Sequence, residues 1–198
     1  LPGEVRGTVH PLKKWNKLSI TRVPMGHEVA ATPIQMTMMM SAVANGGKLM
    51  RPMLVHSLCD ESGRVVVKYH PEAIRQVVSL PTAEKVTEAL KTVVGEGGTA
   101  KRARMQYHTV AGKTGTAQKP GPGGYMPGKY YSSFVGFFPA DEPALCILVG
   151  LDEPAGDYYG GLTAAPVFKA IAERTASYLG IKPDLVEQGT VVSSREEP

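Results

Sequence analysis

The sequence predicts an α+β fold in which an antiparallel sheet is covered by helices. Three observations predict it. Two capped helical segments come early, three short apolar segments bounded by Gly, Pro or acidic turns follow, and one more helix closes the chain. At 198 residues, with 42% hydrophobic and 20% charged residues, the chain can bury one core of ordinary composition.

Residues 1–17, rich in Gly, Pro and charge, read as extended loop. A helix is predicted over 33–43. Thr32 suits the N-cap, Pro33 the first helical position, and Asn45-Gly46-Gly47 the stop. Its Met36, Met38, Met39 and Met40 are expected in the core, although such a run also suits a soft binding groove. Residues 54–58 and 65–69, split by Asp60-Glu61-Ser62-Gly63, predict a hairpin. A second helix is predicted over 82–94, capped by Thr82 and ended by Gly95, Gly97 and Gly98. The strands are expected at 109–117, 133–139 and 144–151. Between the first two, residues 119–128 carry four Gly and three Pro, a density that predicts loop. The last helix is expected over 166–179, ending at Gly180, and the polar residues 181–198 as a frayed tail.

The net charge of +4 is spread over scattered residues such as Lys13, Lys14, Arg102 and Arg104, which argues against a nucleic-acid surface. Two cysteines, Cys59 and Cys146, are too few for a disulfide framework. His27-Glu28 opens like a metalloprotease motif, but Ala31 stands where the second histidine would be. His10, His56, His70 and His108 have no ligand spacing, so neither metal nor cofactor is expected. Trp15 reads as a packing anchor, Tyr125, Tyr130 and Tyr131 as flanks of the Gly/Pro loop, and Asp152-Glu153 as a solvated turn. No run approaches the length of a membrane span.

One stretch carries chemistry: Ala111-Gly112-Lys113-Thr114-Gly115-Thr116-Ala117. As the end of a phosphate-binding loop it fails, because Tyr107 stands where the first glycine belongs and Pro120 and Pro122 deny the helix that must follow. The alternative is the Lys-Thr-Gly strand of serine acyl-transferases that react with penicillin. There Lys113 attracts a substrate carboxylate, the hydroxyls of Thr114 and Thr116 bond it, and Gly115 lets the wall of the site come close. A free strand edge can pair with an extended peptide, and a strand N–H can complete an oxyanion hole.

Read as an ordered set, the chain resembles the transpeptidase domain of class B penicillin-binding proteins. The resemblance rests on Leu1-Pro2-Gly3-Glu4, on Met25-Gly26-His27-Glu28-Val29-Ala30-Ala31-Thr32-Pro33-Ile34-Gln35, and on Ala44-Asn45-Gly46-Gly47 with Arg51-Pro52. It continues through Gly98-Thr99-Ala100, the Lys113 stretch with Gln118, Phe134-Val135-Gly136-Phe137-Phe138-Pro139, and Tyr159-Gly160-Gly161. It implies a parent protein that cross-links peptidoglycan stem peptides, binds β-lactams, and is anchored in the bacterial inner membrane with this domain on the outer face. Division or elongation proteins are the implied partners. A β-lactamase is the poorer match.

Two family motifs are missing. No serine has lysine three positions on, as S-x-x-K requires, and none has asparagine two positions on, as S-x-N requires. The expectation is therefore the C-terminal portion of a transpeptidase domain over 1–180, without the family's first strands and nucleophile helix and inactive alone. The missing strands would leave 146–149 as an open apolar edge prone to self-association. The competing reading is a non-catalytic β-lactam-sensing or scaffolding module of the same fold.

Overall fold

The computed structural model describes residues 3–185. Leu1-Pro2 and most of the expected tail lie outside the described residues. Where extended loop was expected, β1 (Thr8–Val9) pairs antiparallel with β2 (Val29–Ala30), and a one-turn helix α1 (Ser19–Arg22) stands between them. Trp15 is half-buried and donates its indole N–H to the His10 carbonyl at 2.9 Å, so it pins its own loop rather than a distant core.

Helix α2 (Pro33–Ala44) begins where expected. Thr32 Oγ1 accepts from the Gln35 N–H at 3.2 Å, and Gln35 Oε1 accepts from the Thr32 N–H at 2.9 Å, a reciprocal capping box. Of its four methionines only Met40 is buried, and Met39 is 51% exposed. The expected core role therefore narrows to one residue, because only one face of α2 meets the sheet. β3 (Lys48–Met50), β4 (Ser57–Cys59), β5 (Val65–Lys68) and β6 (Ala73–Gln76) follow, pairing as β3–β6 and β4–β5. The second pair is the expected hairpin. Its turn is tied by Asp60 Oδ1, which accepts from the N–H groups of Ser62 and Arg64.

Helix α3 (Leu80–Thr92) starts earlier than the sequence suggests. Its cap is Ser79, not Thr82. Ser79 Oγ accepts from the Thr82 N–H, and Pro81 fits the first turn because it has no N–H to satisfy.

β7 (Ala111–Gly121), β8 (Gly124–Phe138) and β9 (Leu145–Asp152) form an antiparallel sheet in the order β7-β8-β9. The loop expected over 119–128 is therefore mostly strand. Gly121 pairs with Gly124, leaving Pro122 and Gly123 as a two-residue turn. The reason is positional. β7 is an edge strand, Pro120 sits beside a register shift, and Gly123 takes the positive φ of 81° that the turn needs. Helix α4 (Ala164–Leu179) closes the fold and ends on Gly180, whose φ of 63° suits a left-handed cap.

The sheet lies between two helices. On one face Phe134, Phe138 and Val149 pack with Phe168, Ala172 and Ala176 of α4. On the other, Ala111, Val135 and Phe137 pack with Met40. Phe168 is fully buried and meets Phe134 edge-on, ring centroids 4.7 Å apart. Beyond α4 the first residues of the expected tail are held against the body of the fold. Asp184 accepts from the Thr109 N–H at 2.8 Å, and the N–H groups of Asp184 and Leu185 donate to the Tyr107 carbonyl.

Phe168→Ala should cost about 3–5 kcal/mol by emptying this contact, whereas Ser79→Ala should cost about 1 kcal/mol. Urea unfolding monitored by circular dichroism checks both. Equal costs would contradict this placement of the core.

Candidate functional site

Register decides what the Lys-Thr-Gly stretch can do. Lys113 is opposite Val135, Thr114 opposite Phe134, Gly115 opposite Ser133 and Thr116 opposite Ser132. Side chains alternate along a strand. Lys113 and Gly115 therefore face the α2 side, and Thr114 and Thr116 the α4 side. A single anion bonded by all three side chains must sit at the outer edge of β7, where both faces are within reach. That edge is open: among the described residues only β8 makes backbone–backbone hydrogen bonds with β7.

The Lys113 ammonium donates to the Thr114 carbonyl at 2.9 Å. Among the described residues no carboxylate lies within ion-pair distance of it. Lysine has three N–H donors, so two remain. A strand, not a helix, continues after Thr116, so the arrangement is not a phosphate-binding loop.

The α4 side of the strand is held by contacts the sequence did not reveal. Thr114 Oγ1 lies 3.0 Å from Thr99 Oγ1, and Thr116 Oγ1 accepts from the Gly160 N–H at 3.1 Å. The sequence flags Gly98-Thr99-Ala100 and Tyr159-Gly160-Gly161 only as segments, with no role for either. The glycines are there because the backbone comes too close for a Cβ. One on Gly160 would run into the carbonyl oxygens of Ser133 and Gly115, and one on Gly161 into that of Thr99. A Cβ on Gly115 would strike Ser133 Oγ on the other face. Ser132, fully buried, donates to the Tyr158 carbonyl and anchors the same loop.

The tyrosines divide. Tyr130 stacks on Tyr158 with centroids 4.1 Å apart, and Tyr158 leans on Tyr159, which is 54% exposed. Tyr125, near the hairpin turn, reaches His27 Nδ1 at 3.5 Å. Asp152 and Glu153, expected as a solvated turn, are ion-paired. The Lys119 ammonium donates to both, and that of Lys129 donates to Glu153. The Lys129 hydrogen bond, and after it that of Lys119, hold the Glu153 carboxyl below its ordinary range. A lowered carboxyl adds stability above its unfolded pKa and loses it as pH falls. Both groups are well exposed, so this tie is weak.

Burial pushes the Cys146 thiol up, which fits a small hydrophobe rather than a nucleophile. Among the described residues no group of three or more His, Cys, Asp or Glu side chains could hold a metal. No described helix is long and apolar enough to cross a membrane.

The site is thus a Lys-Thr-Gly strand at the open edge of an α+β body, clamped on its α4 side by a glycine pair. Residues 1–173 match the family model described as penicillin binding protein transpeptidase domain. The chain belongs to that family. It is 38% identical over 185 residues to stage V sporulation protein D of Bacillus subtilis, covering 92% of this chain and 28% of that protein. It is 37% identical over 182 residues to penicillin-binding protein PbpB of Mycobacterium tuberculosis, covering 87% and 27%. The chain thus spans little more than a quarter of these relatives. Among solved structures, apo penicillin-binding protein 3 of Mycobacterium tuberculosis superposes with a TM-score of 0.81 at 35% identity, over 96% of this chain and 45% of that one. The apo transpeptidase domain of Burkholderia pseudomallei penicillin-binding protein 3 gives 0.81 at 30%, over 94% and 54%.

Gly160→Ala should lower stability by about 1–3 kcal/mol, because the backbone carbonyls it meets cannot swing aside as a side chain would. It should also speed hydrogen exchange at the residue-160 amide. An unchanged unfolding midpoint and exchange rate would show that the clamp is slack.

Proposed function

We propose that this chain supplies the carboxylate-holding wall of a peptidoglycan D,D-transpeptidase. One observation carries the reading: Lys113 stands on an open strand edge with no carboxylate partner among the described residues. An extended peptide ending in D-alanyl-D-alanine can add to such an edge as a further strand. Its terminal carboxylate then meets the Lys113 ammonium and the hydroxyls of Thr114 and Thr116. Gly115 keeps the strand clear of a side chain where the peptide passes.

The chemistry needs a serine that these 198 residues do not supply in an S-x-x-K setting. In the longer protein that serine attacks the carbonyl carbon of the penultimate D-alanine. The C–N bond breaks, the terminal D-alanine leaves as its amine after taking up a proton, and the acyl group is held as a serine ester. An amine of a neighbouring stem peptide then takes the acyl group and frees the serine. Lys113 is the catalytic residue this chain contributes, as fixed positive charge beside the reacting centre. A relative's complex supports the β-lactam part of the reading: penicillin-binding protein 3 of Mycobacterium tuberculosis has been solved with ampicillin, with a TM-score of 0.82 and 33% identity to this chain. On this reading the longer protein is anchored in the inner membrane with this domain on the outer face. It works beside division or elongation proteins.

The same reading extends to association. Among the described residues β9 pairs with β8 on one side only, and its Cys146-Ile147-Leu148-Val149 run offers an apolar edge for a further strand. A second copy satisfies it by antiparallel β9–β9 pairing.

A fluorescent penicillin tests the function. The 198-residue chain should give no covalent band, and a version extended upstream through S-x-x-K and S-x-N should give one. In that version Lys113→Ala should slow acylation by about one to three powers of ten. Labelling of the short chain, or an unchanged rate in the variant, would overturn the assignment. An extended version that acylates but never cross-links would favour a β-lactam sensor. Sedimentation of the short chain should show a dimer that Leu148→Lys returns to monomer; a monomer at all concentrations would sink the edge-pairing idea.

A further inference from the structure

Thr114 and Thr116 each have a hydrogen-bonding neighbour at the hydroxyl, on the α4 side of the sheet. For Thr116 it is the Gly160 N–H, at 3.1 Å; for Thr114 it is the Thr99 hydroxyl, at 3.0 Å. The two segments that bring these groups are themselves pressed together. Gly161 lies so close to the Thr99 carbonyl that no Cβ fits, and a Cβ there would also touch Thr114 Cγ2.

A hydroxyl has one proton and two lone pairs. An N–H can only donate, so Thr116 must accept from Gly160 and keeps its own proton for another acceptor. The Thr99–Thr114 pair has a choice, since either oxygen can be the donor. If Thr114 donates to Thr99, it turns lone pairs outward and repels an anion. If Thr99 donates to Thr114, the Thr114 proton is free. A carboxylate at the strand edge accepts only, so it selects the second arrangement. Both hydroxyls then act as donors, each itself accepting a hydrogen bond, and hydrogen bonds in such a chain strengthen one another.

We propose that Thr99 is a positioning residue for carboxylate recognition, acting through Thr114 as the Gly160 N–H acts through Thr116. Thr99 does not itself touch the ligand. It sets which way the Thr114 proton points and raises its acidity. This inference rests on the reading of Lys113, Thr114 and Thr116 as a carboxylate site. It predicts that Thr99 favours a C-terminal acid over the same peptide ending in an amide, because only the acid draws on the full charge-assisted chain.

The isotope-labelled chain, titrated in an NMR tube with N-acetyl-D-alanyl-D-alanine and with its C-terminal amide, tests this. In the unmodified chain the acid should bind more tightly than the amide and shift the amide signals of residues 113–116. Thr99→Val keeps the shape of the side chain and removes the hydroxyl. It should weaken the acid by about three- to tenfold, the worth of one hydrogen bond, and leave the amide little changed. Thr99→Ser should restore the acid preference. Equal acid binding in Thr99→Val and the unmodified chain would overturn the proposal. So would weakening of both peptides alike without rescue by serine, since that is the mark of a structural contact. If the unmodified chain does not prefer the acid, the carboxylate reading of Lys113 and its neighbours fails first and this inference falls with it.

Discussion

Phe134 lies fully buried in the middle of β8, opposite Thr114 on one neighbouring strand and Val149 on the other, with the Phe168 ring set edge-on against it. A Cβ on Gly112 would strike this ring, and one on Gly136 would crowd it. The ring therefore locks three strands and α4 into one register. A slip of a single residue would exchange the faces of β7 and turn Lys113 toward α4. The chemistry at the strand edge depends on an aromatic contact that no ligand touches.

The same packing explains how much of the fold could be read in advance. Local signals were legible: the Thr32 N-cap followed by Pro33, the stop at Gly180, the Lys-Thr-Gly run and its ordered companions. Two signals misled because they were read as local when position decided them. Glycine and proline over 119–128 looked like strand breakers, yet an edge strand can hold Pro120 beside a bulge without losing a shared hydrogen bond. Thr82 looked like a cap, yet Ser79 took that place because Pro81 fits the first turn. The contacts of Thr99 with Thr114 and of Gly160 with Thr116 span 15 and 44 positions. No periodicity reports such distances.

The site is also asymmetric in its electrostatics. Lys119 and Lys129, beyond the Lys-Thr-Gly run, are neutralised by Asp152 and Glu153, whereas among the described residues Lys113 bonds a backbone carbonyl and no carboxylate. Pairing the distal lysines removes competitors for an anion, so the attractive potential on β7 is concentrated at Lys113. The tyrosine stack of Tyr130, Tyr158 and Tyr159 joins β8 to the loop before α4. It gives the loop before α4 a rigid footing on the sheet.

The Gly160–Thr116 hydrogen bond has a consequence for how this part of the molecule can vary. It pins together the two ends of a 44-residue excursion that contains the hairpin and β9. Length added at the turn formed by Pro122 and Gly123 lengthens that excursion without altering its closure, and each doubling of a flexible loop costs only about 0.6 kcal/mol. The hairpin tip is thus where the chain can accept insertions and diverge in shape while the hydroxyl at Thr116 keeps its aim.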